Sequence, residues 1–198
     1  MDEIIKLPSP QIDLQFPLMK ALELRRSKRK WAAASVSEQN LSNLLWAACG
    51  ITMKESPGCK SRRTAPSATN CQEISLYVAL ESGLYSYDEK HHQLIQKSPS
   101  DIRDSIGTQK MMRSAPVGII YVADYSRMKS YLAKDDDRKA FVAGTDAGFI
   151  SQNIYLYCAA AGLSTVILGL VDREALHERM GLKTYEKVVY TQVVGNVL

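Results

Sequence analysis

The apolar residues of this chain change period several times, and each change marks an element. After Pro17, the residues Leu18, Ala21 and Leu22, with Leu24 beside them, recur at helical spacing. Proline suits a first turn, where its missing amide is no loss, so a helix is expected that ends near Arg26. Leu41, Leu44, Leu45 and Ala48 form a second helical stripe with Trp46 beside it. Ser37 is its N-cap, or Ser35 with Glu38 as a capping box, and Gly50 stops it. The pattern then turns to strands. Ile74 to Leu80 is rich in β-branched and aromatic residues and breaks at Gly83. Leu84-Tyr85-Ser86-Tyr87 and His92-Gln93-Leu94-Ile95 flank Asp88-Glu89-Lys90-His91 as a hairpin, which puts His91 and His92 at an exposed turn, away from any catalysis. Ser100 to Arg113 reads as a helix ended by Ala115-Pro116. Val117 to Ala123 is a nearly unbroken apolar run, as in a strand covered on both faces.

A charged segment, Lys134 to Lys139, reads as a solvated loop or helix start before the longest apolar helix, expected from about Phe141 to Ala161. Ala147, Ile150, Ile154, Cys158 and Ala161 are in phase there, and Gly144 and Gly148 stand four apart. A helix apolar nearly all round is central or buried at a subunit interface. Gly162 closes it, Ser164 to Leu168 is a short strand or extended loop ending at Gly169, and Asp172 caps a last helix with Leu176 and Met180. Val188 to Val194 is the final strand. This order is α+β, without regular βαβ alternation. No GxGxxG follows a strand and no P-loop occurs, which disfavours a Rossmann domain. Residues 1–198 are expected to form one domain, with 1–16 an extended arm because Leu7-Pro8-Ser9-Pro10 cannot continue a helix.

Composition changes this picture only by exclusion. At 198 residues and 45% hydrophobic, the chain is large enough for a real core. A net charge of +4 is too small to imply a nucleic-acid partner. Cys49, Cys59, Cys71 and Cys158 form no CxxC pair and no histidine stands near them at ligand spacing, so no metal site and no catalytic or disulfide-bonded cysteine is expected. No apolar run reaches membrane length, and Met1-Asp2-Glu3 does not begin a leader. The expected compartment is the cytoplasm, with a removed export signal as the alternative.

Two basic runs remain. Arg25-Arg26-Ser27-Lys28-Arg29 packs four cations around one hydroxyl after the first helix, which is either an anion site or a solvated basic face. Lys60-Ser61-Arg62-Arg63 falls in a stretch, Met53 to Arg63, that reads as a mobile loop. Next comes Thr64-Ala65-Pro66-Ser67-Ala68-Thr69-Asn70, small side chains that let backbone approach a ligand or simply make a surface loop.

Taken together, the basic run after the first helix, Leu44-Leu45-Trp46-Ala47-Ala48-Cys49-Gly50-Ile51, Arg63 to Asn70 and Gly83-Leu84-Tyr85-Ser86-Tyr87 resemble the FMN-dependent nitroreductase-like proteins. Ala115-Pro116, Asp146-Ala147-Gly148 through Gln152-Asn153-Ile154-Tyr155-Leu156, and Gly162-Leu163 leading to Gly169 extend the likeness over about Leu18 to Gly195. Among these proteins the chain is most similar to the dehydrogenase subunit of thiazole-forming and oxazole-forming synthetases. The resemblance implies a mainly antiparallel sheet surrounded by helices in an intertwined homodimer, with FMN bound between chains. By motif, Arg25 and Ser27 would hold the phosphate and ribityl end with Arg26 alongside, and Arg29 would reach the pyrimidine edge. Pro66, Ser67, Ala68 and Asn70 would come from the other chain, and Leu168 and Gly169 would bring backbone amides near N5. Gln109 and Lys110 are the candidates for a mid-chain polar contact. The chain ends at Val197-Leu198 where many relatives carry a basic tail, so phosphate binding is expected either to be weaker or to rest more on Arg25 and Arg26. The implied activity is ping-pong hydride transfer from NADH or NADPH through FMN to a small electron-poor acceptor such as a nitroaromatic or quinone, with no catalytic side chain, no nucleic acid and no membrane. The alternatives are oxidation of azoline-type or other substrates, for which the lysine-tyrosine pair of the azoline dehydrogenases is not recognisable, and a non-redox protein binding nucleic acid or another anion.

Overall fold

The computed structural model describes residues 3–109 and 114–198. Seven strands form one antiparallel sheet in the order β1 (Ile4–Lys6), β6 (Gln93–Ser98), β5 (Gly83–Asp88), β4 (Ile74–Leu80), β7 (Val117–Asp124), β9 (Glu186–Asn196), β8 (Leu163–Leu168). A small pair, β2 (Ile51–Met53) and β3 (Arg62–Arg63), stands apart from it. The unbroken apolar run of β7 has a simple cause. Val117, Ile119, Tyr121 and Ala123 enter the core under helices α2 (Glu38–Cys49) and α3 (Asp136–Ala160), while Ile120 and Val122 enter a second core with Trp31, Ile102, Ile106 and Leu176 of α4 (Arg173–Met180). Side chains alternate across a strand, so only a strand covered on both faces is apolar at every position. The α+β class and the mainly antiparallel sheet are as the sequence implies.

Strand β8 is an edge strand, yet it is not bare. A buried chain of hydrogen bonds ties it inward: the Tyr121 hydroxyl donates to Gln192 Oε1 (2.5 Å) and Gln192 Nε2 to Thr165 Oγ1 (2.9 Å). Its outer edge carries residues 26–30, described below, and helix α1 (Leu18–Leu24) just before them packs on α3.

Several expectations need correction. Helix α3 begins at Asp136, because the Asp135 carboxylate caps the Arg138 amide (2.7 Å) and the charged segment becomes the first turn. Helix α1 ends at Leu24, two residues short of the expected stop. Met53 to Arg63 is not simply loose: it is a bulged turn between β2 and β3, closed by reciprocal Ser56 and Cys59 backbone bonds. The helix expected over Ser100 to Arg113 is reduced to a 3-10 turn, Arg103–Ser105. There the Ser98 hydroxyl and the Asp101 carboxylate take the amides of Ser100 and Arg103 (3.2 and 2.9 Å), and such local bonds compete with a helical ladder. Residues 110–113 of that stretch lie outside the described residues.

His92 is the other correction, since it is half-buried instead of exposed. Its Nε2 lies 2.7 Å from Ser42 Oγ and its Nδ1 lies 2.8 Å from the Tyr87 hydroxyl. Ser42 donates its one hydrogen to the Pro8 carbonyl (2.6 Å), so it accepts from Nε2–H and Tyr87 donates to Nδ1. The result is a clamp that ties the N-terminal arm to α2 and the hairpin through a neutral imidazole. Burial holds the His92 pKa below its ordinary value, opposed in part by the Pro8 carbonyl. A lowered histidine pKa means that the unfolded chain binds the proton more readily. This stabilisation is therefore complete above the unfolded pKa of about 6.5 and is lost as pH falls below it. His92→Asn, which tolerates the positive φ of 52° at this position, should cost about 1 kcal/mol at pH 8, or roughly 2–4 °C, and should flatten the loss of melting temperature between pH 7 and 5. Thermal unfolding across pH checks both outcomes.

Candidate functional site

The chain leaves α1 at Arg25 and runs as a basic strap along the free edge of β8. Two hydrogen bonds on that edge fix it. The Lys28 amide donates to the Thr165 carbonyl (3.0 Å), and the Ile167 amide donates to the hydroxyl of Tyr155 on α3 (3.0 Å), which in turn lies 2.9 Å from Ser27 Oγ. Outward-facing positions alternate along an antiparallel strand, so 165 and 167 point to the strap and the next position of that series is Gly169. Trp31 anchors the far end of the strap. It packs so closely on β9 that a Cβ at Gly195 would lie 2.7 Å from Trp31 Cβ, which only glycine avoids.

Among the described residues none of Arg25, Arg26, Lys28 or Arg29 is paired with a carboxylate, although nine such pairs occur elsewhere. The four cations are not equivalent. Arg26 folds back and donates to the Glu23 and Arg25 carbonyls (2.8 Å each), closing the helix end, so its charge is held by backbone. Arg25 lies over the Tyr155 ring, 5.5 Å from its centre. Arg26 and Lys28 line a cavity of about 310 Å³ with Tyr155 and Thr165. Arg29 lines another of about 160 Å³ with Gln109, Leu168 and Gly169. Gln109 is thus beside the site, while Lys110 lies outside the described residues. A Cβ at Gly169 would meet nothing within 4 Å, so that end of the site is open.

The second basic run has a different fate. Lys60 Nζ donates to the Cys71 carbonyl (2.8 Å), and Arg63 donates to the Ile74 carbonyl (2.8 Å) and forms a nearly buried ion pair with Glu89. These cations are consumed by the fold.

The loop 66–70 is held in a strained but fully tied conformation. Thr69, Asn70 and Gln72 all have positive φ (51°, 54° and 55°), which for such residues costs energy that neighbouring contacts offset. The Asn70 side chain donates to the Ser61 carbonyl (3.0 Å) and accepts from Gln72 Nε2 (2.9 Å), and Ser67 Oγ accepts the Gln72 amide (3.0 Å). Asn70 thus uses one amide hydrogen and one lone pair inside the loop. Facing outward are the Pro66 ring, Thr69 and, half-buried, the Ser67 hydroxyl, whose own hydrogen stays free to donate.

Asp146 fastens this loop to α3 by accepting the Ala68 amide (2.8 Å). Burial pushes its pKa up to about 7, with the Ala68 amide working against the shift and nearby Glu73 adding to it. Glu73 takes a hydrogen bond from the Cys71 thiol (3.0 Å), while its Oε1 is buried without a partner among the described residues. The ligand atoms of Cys71, Glu73 and Asp146 lie within 4.8 Å of one another, a spacing close enough for a metal. Sequence reasoning did not single out Asp146 as a site residue, although a lone carboxylate within the buried stripe Val142, Ala143, Ala147 and Ile150 was a readable signal. Tyr155 gave no such signal.

The four cysteines are unpaired. Burial pushes the Cys49 and Cys71 thiols up to about 12 and Cys158 higher, which leaves almost no thiolate at neutral pH. Iodoacetamide at pH 8 should label Cys59, the more open one, and spare the other three over the same period. Peptide mass spectrometry reads the pattern, and turnover should survive it.

Within one chain the strap and the loop stay apart: Asp146 and Tyr155 are ~13 Å apart along α3 at about 1.5 Å per residue. No hydrogen bond or ion pair among the described residues joins residues 25–29 to 66–70. Residues 22–196 match the model of the nitroreductase family. A Methanocaldococcus jannaschii protein bearing the nitroreductase name is 25% identical over 195 residues, 93% of this chain and 94% of that protein. The crystal structure of a protein described as a nitroreductase from Ralstonia eutropha JMP134 superposes with a TM-score of 0.89 at 37% identity, covering 98% of this chain and 90% of that one. The NADPH:FMN oxidoreductase of Vibrio harveyi, solved with NAD+, shares the fold at a TM-score of 0.63 and 19% identity, over 91% of this chain and 68% of that one.

Proposed function

Because the chain belongs to the nitroreductase family, we propose that it is an FMN-dependent oxidoreductase that works as a homodimer, taking hydride from NADH or NADPH and passing it to a small electron-poor acceptor. The observation that carries this reading is the strap: cations without carboxylate partners and one oriented hydroxyl, lying on a strand edge that leads to the open position at Gly169. That donor set suits a cofactor with an anionic tail and a flat polar ring. Arg25, Ser27 and Lys28 would hold the phosphate end, and Arg29 with Gly169 would face the ring. FMN supplies the hydride chemistry when bound; the protein binds, orients and tunes. Pro66 and Ser67 of the partner subunit would complete each site, which accounts for a loop so firmly tied yet so far from the strap of its own chain.

A dimer also suits the surface. Phe141 (76% exposed) and Phe149 (44%) project from α3, and Leu18 (63%) and Met19 (75%) from α1, a density of exposed apolar side chains that normally marks an interface. Among the described residues no helix is long and apolar enough to cross a membrane. The nucleic-acid alternative is weakened because two of the three cations in the second basic run, Lys60 and Arg63, make internal bonds. The test is the absorbance spectrum of the purified protein after mixing with FMN and removal of excess. A flavin spectrum that NADH or NADPH bleaches without oxygen supports the reading; retention of no flavin contradicts it.

A further inference from the structure

The hydroxyl of Tyr155 sits at the one point where α3, the free edge of β8 and the strap meet. It is nearly buried, at 7% exposure, and has two hydrogen-bonding neighbours among the described residues, the Ile167 amide and Ser27 Oγ. The amide can only donate, so the phenolic oxygen is its acceptor. The phenol then has one hydrogen to place, and Ser27 Oγ, at 2.9 Å, is the acceptor within reach. Were Ser27 to donate instead, the phenolic hydrogen would be left buried without a partner, which is costly. With Ser27 accepting from Tyr155, the serine keeps its own hydrogen for something else. Ser27 is itself exposed, and it lies in the strap between the unpaired cations Arg25 and Lys28.

We propose that Tyr155 is a positioning residue that turns the Ser27 hydroxyl hydrogen outward, so that serine donates to the phosphate of the bound flavin. This inference rests on the flavin reading above and deepens it. The edge of β8 sets the hydrogen-bond order: Ile167 amide to Tyr155, Tyr155 to Ser27, Ser27 to anion. Each bond polarises the next, so the last donor is stronger than an isolated serine hydroxyl. The Arg25 guanidinium over the same ring is held beside that donor, which places charge and hydroxyl together.

The test compares FMN with riboflavin, which lacks the phosphate, on the parent protein, Tyr155→Phe, Ser27→Ala and the double variant. Dissociation constants come from quenching of flavin fluorescence. Tyr155→Phe keeps the ring under Arg25 and removes only the hydroxyl. It should weaken FMN about tenfold while leaving riboflavin within about twofold, the size of one charge-assisted bond. Ser27→Ala should do the same without touching the core, which covers the case in which Tyr155→Phe folds poorly. The double variant should be no worse than the weaker single one, because both changes break one chain of bonds. A flavin-free readout accompanies this: exchange of the Ile167 amide should quicken in Tyr155→Phe and not in Ser27→Ala. Equal FMN affinity in parent and Tyr155→Phe, or equal losses for FMN and riboflavin, would overturn the role of Tyr155 and leave the flavin reading standing. A parent protein that binds neither flavin would overturn the flavin reading and this inference with it.

Discussion

Arg29→Ala is expected to lower the reduction potential of the bound flavin, whereas Arg25→Ala should loosen FMN and leave the potential nearly unchanged. Composition treats these arginines as equals; their surroundings do not. Arg25 lies at the Tyr155 end of the strap, beside Ser27, and Arg29 lines the cavity that includes Leu168 and Gly169. A charge facing phosphate meets the same charge in either redox state, so it acts on affinity alone. Losing one such contact costs about 1.5–3 kcal/mol, or roughly ten to a hundred times in the dissociation constant. A charge facing the pyrimidine edge meets more negative charge when the flavin is reduced, and it acts on the difference. If that difference is about 1–3 kcal/mol, the two-electron potential should fall by roughly 20–60 mV and hydride uptake should slow with it. Both variants should be saturated with FMN before comparison. Equal potentials in Arg29→Ala and the parent would show that Arg29 does not face the ring.

The second large effect is expected from Gly148→Arg, at a position where one protomer has room to spare. A Cβ at Gly148 meets nothing within 4 Å, and the residue is exposed on α3 between Phe141 and Phe149. Within a single chain, arginine there should stabilise the helix by about 1 kcal/mol, since glycine is the poorer helix former. In a dimer closed over this face, the same side chain has no room. The variant should therefore sediment as a folded monomer and lose flavin by at least a hundredfold, because each site would lack the partner's loop. A dimeric Gly148→Arg that retains FMN would move the interface elsewhere. Gly148→Ala, which adds one methyl, separates crowding from charge and should weaken the dimer far less.

The long periodic elements were legible in the sequence because burial is their cause and burial is periodic. Helix α2 with its Ser37 cap, strand β7 and the body of α3 all read correctly on that ground. The failures have a common origin in contacts made far along the chain or by short polar side chains. His92 looked like a turn residue, and it is, but the arm at Pro8 and Ser42 on α2 bury it from outside. The stretch from Ser100 reads as a helix without a clear apolar face, and serine and aspartate side chains decide its backbone instead. In the site, the anion demand of residues 25–29 could be read from charge. That Arg26 would close a helix end while Arg25 stacked on a tyrosine could not, because both follow from where α1 stops. Asn70, named by motif, also ties the loop internally through Ser61 and Gln72, which its residue type alone does not reveal. Tyr155 lay within a quoted motif, but only the approach of β8 gives its hydroxyl a task.

In the proposed dimer each site draws its strap from one protomer and its loop from the other. Mixed dimers test it. One chain would carry Arg25→Ala with Arg29→Ala on the strap, the other Pro66→Asp at the exposed tip of the loop, with different affinity tags so that only the mixed species is recovered. Each altered chain alone should form dimers that hold almost no FMN. In the mixed dimer, one site combines both defects and the other combines an intact strap with an intact loop. The predicted result is one FMN per mixed dimer, reducible by nicotinamide at the parent's rate; a mixed dimer as empty as its two parents would contradict a site shared between chains.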